Sequence, residues 1–341
     1  MKRFIGGISA FGALLSIVLL GLGFAQSLHP AFDSFSHFRL LFAAVLLGVT
    51  PLLWFMGRRP IALAAIATIV IATVATLPYL PGMQRSFALS NATKDWNRIS
   101  VTQLNMRFNN ENTSRIVSTL STHSSDVLLL QELTKTTAPI LSAFSQSHPH
   151  QLECYSSGVG SVAILSKYPI IDNDQKNCIR FEGFASATLQ VGENVFRVAS
   201  FHSRWPWPVG QNEQLERLAP QFKELNSDYS ILAGDFNAAP WSHAVNWVSN
   251  MTGLQMISGL KFTWAPRLRD SRTIAKHFPN APNKLGQLPF PDWAVDLQNR
   301  FGPILPIDHI LHSQKLSPLS RDVLPDVGSD HYPVRTVFVW K

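Results

Sequence analysis

Two patterns of hydrophobic positions divide the chain. Before residue 81 there are three long uncharged stretches, Phe4 to Phe24, Leu40 to Met56 and Ile61 to Leu80, of 21, 17 and 20 residues. A hydrocarbon core of roughly 30 Å is crossed by about 20 apolar residues in a helix. The stretches therefore predict three membrane-spanning helices within residues 1–80. Residues 81–97 (PGMQRSFALSNATKDWN) are polar and broken by Pro81 and Gly82, and read as a linker. From Ile99 the apolar runs become short. Ile99–Leu104, Asp126–Leu130, Ser161–Leu165, Ala185–Gln190, Val195–Phe201, Tyr229–Ala233, Asp308–Leu311 and Val334–Val339 have the length and β-branched content of strands. A helix is predicted after Asn112–Ser114, with Ile116, Val117 and Leu120 on one face. Another is predicted over Asn212 to Leu225, with Leu215, Leu218 and Phe222 on one face. Residues 265–305 are rich in Pro and basic side chains, show no period, and read as a long loop. Many strands with few helices between them imply a layered α/β domain over 98–341, large enough for a full core.

Charge changes this picture in two ways. Only 15% of the residues are charged and the net charge is +7, but the excess is uneven. Residues 1–97 hold seven Lys or Arg and two acids; residues 98–341 hold 22 and 20. The larger part is near neutral, so bulk charge gives no support for nucleic-acid binding. The basic residues also orient the helices. Lys2 and Arg3 precede the first stretch, and Arg58 and Arg59 lie between the second and third. Positively charged ends stay in the cytoplasm. Residues 25–39 and everything after Leu80 are then expected outside it. Gly23-Phe24-Ala25 has the small-x-small form of a signal-peptide cleavage site. Cleavage there would leave the later domain on the same side. The two cysteines, Cys154 and Cys178, meet no Cys-x-x-Cys motif. In an oxidising compartment they either pair or remain as buried thiols, since spacing alone does not decide.

Polar residues of metal-ligand and acid–base types stand at the ends of the apolar strands. In chain order they are Leu104-Asn105, Gln131-Glu132, Gly160 to Ser166, His202, Gly234-Asp235-Phe236-Asn237, Thr263-Trp264, Ile307-Asp308-His309 and Ser329-Asp330-His331. Singly, each has a bland reading as a cap or a solvated strand end. The Gly-Asp-Phe-Asn run puts a carboxylate and an amide on one strand face, and Ser-Asp-His puts an acid beside an imidazole.

In this order the motifs resemble those of the endonuclease/exonuclease/phosphatase superfamily, the DNase I-like proteins, over about residues 98–341. The resemblance implies a four-layer α/β/β/α sandwich behind the three helices, with the site at one end of two packed sheets. It also implies roles. Glu132, Asn105 and Asp330 would hold Mg²⁺ or Mn²⁺, hard ions suited to oxygen ligands and phosphate. Asp235 would orient or deprotonate water, with Asn237 beside it. His331, held by Asp308, and His202 would contact the phosphate. The chain is then expected to be a metal-dependent phosphoesterase anchored in a bilayer, with its catalytic domain periplasmic or otherwise extracytoplasmic, in a bacterial inner membrane. Its substrate would be a nucleic acid or a lipid or head-group phosphoester, and no protein partner is inferable. The competing expectation is a catalytically silent membrane scaffold reusing the fold.

Three neighbouring features stay open at this level. Arg204 and Trp205, in Ser203-Arg204-Trp205-Pro206-Trp207-Pro208, form either a substrate wall or a packed loop rim. The basic run Arg267 to Arg272, with Lys276, reads first as a solvated loop and second as an anion contact. His243, His309 and His312 read as packing or surface residues.

Overall fold

The three apolar stretches fold as helices because uncharged runs of this length can satisfy their backbone only internally. The structure, a computed structural model, describes residues 2–80, 96–157, 160–171, 178–266 and 302–341. Helix α1 is Lys2–Phe24, α2 Pro30–Ser36, α3 Arg39–Phe55 and α4 Arg59–Thr76. By length and composition α1 and α4 are each able to cross a membrane, and α2 with α3, bent by 56°, make a third candidate. Ala10, Ala13, Ala62 and Ala65 pack with Leu46 and Leu53 between the helices. Small side chains at such contacts let helix backbones approach closely. Phe11, Leu47, Phe55 and Val70 point outward and are exposed.

The remaining elements are β1 (Asn97–Asn105), α5 (Thr113–Thr122), β2 (Val127–Leu133), α6 (Pro139–Ala143), β3 (His150–Ser157), β4 (Gly160–Ser166), β5 (Cys178–Ile179), β6 (Phe184–Val191), β7 (Asn194–His202), α7 (Gln211–Arg217), α8 (Ala219–Glu224), β8 (Ser230–Asp235), α9 (His243–Thr252), β9 (Gln255–Met256), β10 (Asp308–His312), β11 (Ser317–Val323) and β12 (Val334–Trp340). They form two six-stranded sheets, ordered β11-β12-β1-β2-β4-β3 and β5-β6-β7-β8-β10-β9. Each sheet contains one parallel pair, β1 with β2 and β7 with β8. Strand alternation builds the layers. Val127 and Leu129 join Ile164, Val198, Ile231 and Phe338 in the core between the sheets. Leu128 and Leu130 face the other way, against Ile116 and Leu120 of α5. Phe201 and Leu232 face Leu215, Phe222 and Val248 under α7 to α9. The result is a four-layer α/β/β/α sandwich. Cys154 on edge strand β3 is bonded to Cys178 on edge strand β5, with Cα atoms 5.3 Å apart, so the bridge joins the two sheets.

Three sequence expectations need correction. The helix expected over 212–225 is two helices, because Pro220 falls in the first turn of α8. Proline has no N–H for the helical ladder and is tolerated only in a first turn. Strands β3 and β11 escaped the strand pattern because both lie on sheet edges and mix polar with apolar positions. Asn97 belongs to β1 rather than to the linker. Most of that linker, and the basic run with Lys276, lie outside the described residues.

The helices also touch the sandwich. Asp33 of α2 accepts from the His243 and Ala244 N–H groups, at 2.9 and 3.0 Å. Those are the first two residues of α9, whose free N–H groups favour an anion. His37 Nδ1 accepts from Ala239 N at 3.2 Å, and Trp241 Nε1 donates to Ser36 O at 2.7 Å. Arg39 stacks on Phe24 and Trp241, and Tyr79 meets Trp241 edge-on.

Candidate active site

The predicted motifs converge because both parallel pairs end at the same edge of the sandwich. Asn105 is the last residue of β1 and is paired with Gln131; His202 ends β7 and is paired with Asp235, which ends β8; Asp308 opens β10 opposite Asp235. Two local devices aim the carboxylates. The pairing of β2 with β4 slips between Leu130 and Leu133, and Glu132 there takes a left-handed φ of 59°. Such a bulge turns a side chain out of the sheet alternation. Gly160 crosses behind it, where a Cβ would lie 2.5 Å from Leu133 O. In the Gly-Asp-Phe-Asn run, a Cβ at Gly234 would collide with Phe201 O. The glycine thus lets β8 lie close on β7 and brings Asp235 to His202.

The side chains form one connected network. Asn105 Nδ2 donates to Glu132 Oε1 and to Asp235 Oδ2, both at 3.0 Å. Glu132 Oε2 accepts from Phe108 N at 2.6 Å. Asp235 Oδ1 accepts from Asn237 N at 2.8 Å, and its Oδ2 lies 3.6 Å from His202 Nε2 and 3.5 Å from His331 Nε2. His331 Nδ1 is 2.9 Å from Asp308 Oδ2. One imidazole therefore stands between two carboxylates on adjacent strands, and Asp235, Asp308 and His331 are all buried.

Burial and charge set the proton positions. Burial lowers the His331 pKa, but Asp308 and Asp235 outweigh it and hold the ring well above the usual histidine range. Burial raises Asp308, yet the His331 charge and its hydrogen bonds keep that carboxyl below the usual range. Asp235 is pushed up to about 6, first by burial and then by Asp308, against the pull of His331. Burial lowers His202 despite Asp235 beside it. Burial, reinforced by Asp330, raises Glu132. The site thus holds an imidazolium, a neutral imidazole and a carboxylate poised near neutrality. Separated proton affinities of this kind mark acid–base sites.

Two positions are chemically able to hold a metal. Ligand atoms of Asp235, Asp308 and His331 lie within 4.8 Å of one another, close enough for an ion. An imidazolium, however, has no lone pair to give, and both His331 nitrogens already face carboxylates. Glu132 and Asp330 suit a hard cation better. Burial first, and then the charge of Asp330, raises Glu132, and a divalent ion would offset both. Asn105 turns its amide nitrogen toward the carboxylates, while its oxygen accepts from Arg107 N. In this geometry it bridges Glu132 and Asp235.

The network floors a cavity of about 290 Å³ whose wall includes Arg204, Trp205, Val209, Phe181 and Trp264. Arg204 and Trp205 therefore border the site, with Arg204 Nη2 3.7 Å from Glu182. His309 and His312 are buried away from it; His309 Nε2 contacts Ala238 O at 2.7 Å. Sequence reading named Ser329 only as part of the Ser-Asp-His motif, without its tying role, and missed Gln211 and Gln214. Ser329 Oγ donates to Asn105 O at 2.7 Å and accepts from His331 N at 3.0 Å. Gln211 and Gln214 of α7 pin the chain after His202, with Gln214 accepting from Arg204 N at 2.6 Å. Their signal was a pair of amides three apart, beside the apolar face of a helix.

Comparison with known proteins places this chain. The Endonuclease/Exonuclease/phosphatase family model matches residues 102–331. A search of curated proteins finds no match. Among solved structures, an endonuclease/exonuclease/phosphatase from Bacteroides vulgatus has a TM-score of 0.50 at 14% identity, covering 72% of this chain and 100% of its own. Sphingomyelinase C from Streptomyces griseocarneus has 0.42 at 16%, covering 72% and 100%. A Staphylococcus aureus beta toxin variant with bound magnesium ions has 0.44 at 15%, covering 72% and 100%. The likeness to the Bacteroides vulgatus structure is one of fold; the family match runs from β1 to the final Ser-Asp-His motif and takes in every acid and imidazole of the network, so the chain belongs to the endonuclease/exonuclease/phosphatase family, whose enzymes hydrolyse phosphoesters.

Proposed function

We propose that this chain is a membrane-anchored, divalent-metal-dependent phosphoesterase that hydrolyses its substrate by in-line attack of water, outside the cytoplasm. The observation that carries the reading is the Asp235–His331–Asp308 alignment, a poised carboxylate next to an imidazolium held by a second acid. Asp235 takes the proton of the attacking water, since a carboxyl of pKa about 6 is an effective acceptor near neutrality. Asn237 N–H fixes one Asp235 oxygen, and Asn105 holds the other. The Nε2–H of His331, 3.5 Å from Asp235 and so held less closely than Nδ1 is by Asp308, donates to a phosphoryl oxygen as negative charge grows in the transition state. Neutral His202 contributes a second ring at the same oxygen cluster, 3.6 Å from both Asp235 and Glu132. A Mg²⁺ or Mn²⁺ ion at Glu132 and Asp330, when bound, would neutralise phosphate charge.

The intact set of acids and imidazoles favours turnover over a silent scaffold. Anchoring rests on α1, on α4 and on the bent α2–α3 pair. The outside placement rests on Lys2, Arg3, Arg58 and Arg59, and a disulfide between Cys154 and Cys178 agrees with it. The test is a metal titration of Glu132→Gln. Replacing the charged carboxylate with a neutral amide should raise the metal concentration needed for turnover by about tenfold or more. An unchanged requirement would remove Glu132 from the metal site.

A further inference from the structure

The catalytic domain is seated on its helices rather than strung from them. The same-side ends of the three long helices, Phe24 of α1, Arg39 of α3 and the turn at Tyr79 after α4, all converge near Trp241 of the sandwich. Between the first two ends, α2 places a buried Asp33 on the start of α9, a contact that needs one orientation. The other side of α2 meets the chain that follows His202. Ser34 Oγ donates to Trp207 O at 3.2 Å, and the His29 and Trp207 rings meet edge-on at 6.3 Å. Trp207 therefore lies at the level where the helices end, the headgroup zone of a bilayer that they span.

Large apolar side chains are exposed at this place. Trp205 and Val209, 48% and 56% exposed, line the cavity, and Trp207, between them in the chain, is 54% exposed. Phe181, 56% exposed, stands in the cavity wall with Tyr155 packed on it. Contiguous apolar surface of this kind marks an interaction site, and tryptophan favours the membrane interface. The floor below is charged, with Glu132, Asp235, Asp330 and His331 on it. Among the described residues lining the cavity, the cations are Arg107, Arg204 and the His331 imidazolium; Arg204 already faces Glu182, and His331 stands between Asp235 and Asp308. That is few for a polyanion, whose binding depends on many phosphate contacts.

We infer that the Trp205–Val209 loop rests in the headgroup layer of the anchoring membrane and that the site draws its substrate, an amphiphilic phosphoester, from that same leaflet. The inference rests on the phosphoesterase reading above and on the helices being embedded. Asp33 acts as a positioning residue, because it fixes the mouth toward the bilayer without touching substrate.

The test uses the full chain in nanodiscs of phosphatidylethanolamine and phosphatidylglycerol with Mg²⁺ present. An environment-sensitive fluorophore is attached at Trp207→Cys and, as a control, at Leu319→Cys on exposed edge strand β11. Headgroup-level nitroxide lipids should quench position 207 several-fold more than position 319. Phosphoester release from the nanodisc lipids is then compared with turnover of soluble bis-(p-nitrophenyl) phosphate. Asp33→Ala should lower lipid release about tenfold or more, as effective concentration is lost, with the soluble ester cleaved within about twofold of wild type. Equal quenching at 207 and 319 would overturn the inference. So would soluble-ester turnover without lipid release in wild type, or an Asp33→Ala effect equal on both substrates. Strong quenching at 207 with neither substrate cleaved would overturn the phosphoesterase reading and leave the membrane contact standing.

Discussion

At the residue scale the chemistry depends on where three protons sit. Asp235 is held up to about 6, so it is protonated and inactive as a base in acid. His331 stays protonated well above the ordinary histidine pKa. Turnover should therefore rise as pH passes through about 6, hold a plateau, and fall when His331 loses its proton at alkaline pH. A pH–kcat profile checks this, and a limb rising near 4 instead would deny Asp235 its burial-raised affinity. The same groups shape stability. The depressed Asp308 contributes above the ordinary carboxylate pKa and loses that contribution as pH falls through its folded value. The raised His331 contributes fully below its unfolded pKa and loses it as pH rises through its folded value. The pair therefore stabilises the fold across the interval between those limits. Asp308→Ala should cost roughly 3–5 kcal/mol there, because it strands a buried charge. Urea unfolding at neutral pH measures it, and a loss below about 1 kcal/mol would show that the pair is not charged.

At the scale of elements, strand ends carry the site and the connections between them hold it in place. Ser329 shows how narrow those ties are: a single hydroxyl links the end of β1 to the His331 backbone. Ser329→Ala should cost about 1–3 kcal/mol of stability by leaving Asn105 O unpaired. It should also lower kcat by up to about a hundredfold if His331 shifts by an ångström. Circular-dichroism melts and steady-state kinetics report the two effects separately; wild-type kcat would mean that His331 is fixed from the Asp308 side alone. The strand ends were legible in the sequence because chemistry-bearing residues interrupted apolar runs at Asn105, Glu132, His202, Asp235 and Asp308. Edge strands β3 and β11 were not legible, since partial exposure weakens alternation. Pro220 marks the break between α7 and α8, but the apolar spacing of Leu215, Leu218 and Phe222 runs straight across it. Gln211 and Gln214, and the tying role of Ser329 within its motif, were hidden for another reason: hydrogen bonds that position a site leave no hydrophobic period behind.

At the scale of the whole molecule, the long apolar stretches marked helices α1, α3 and α4 in the sequence, while their seat on the sandwich was not legible at all. That seat is made by Asp33, Ser36, His37 and Arg39, polar residues that a sequence reader assigns to an exposed loop. They are buried because α9 presents free N–H groups and Trp241 an indole that need partners. The near-neutral charge of residues 98–341 also gains meaning from the structure. The site concentrates Glu132, Asp235, Asp308 and Asp330 at one end of the sheets, and the negative charge gathered there suits a divalent cation. Hydrolysis at this end of the sandwich is most directly tested with the full chain, bis-(p-nitrophenyl) phosphate and Mg²⁺ or Mn²⁺, comparing wild type with Asp235→Asn. Metal-dependent turnover that falls about 100-fold or more in the variant is expected, because Asn cannot accept the water's proton. Turnover that Asp235→Asn leaves unchanged would contradict the assignment of this network as the catalytic centre.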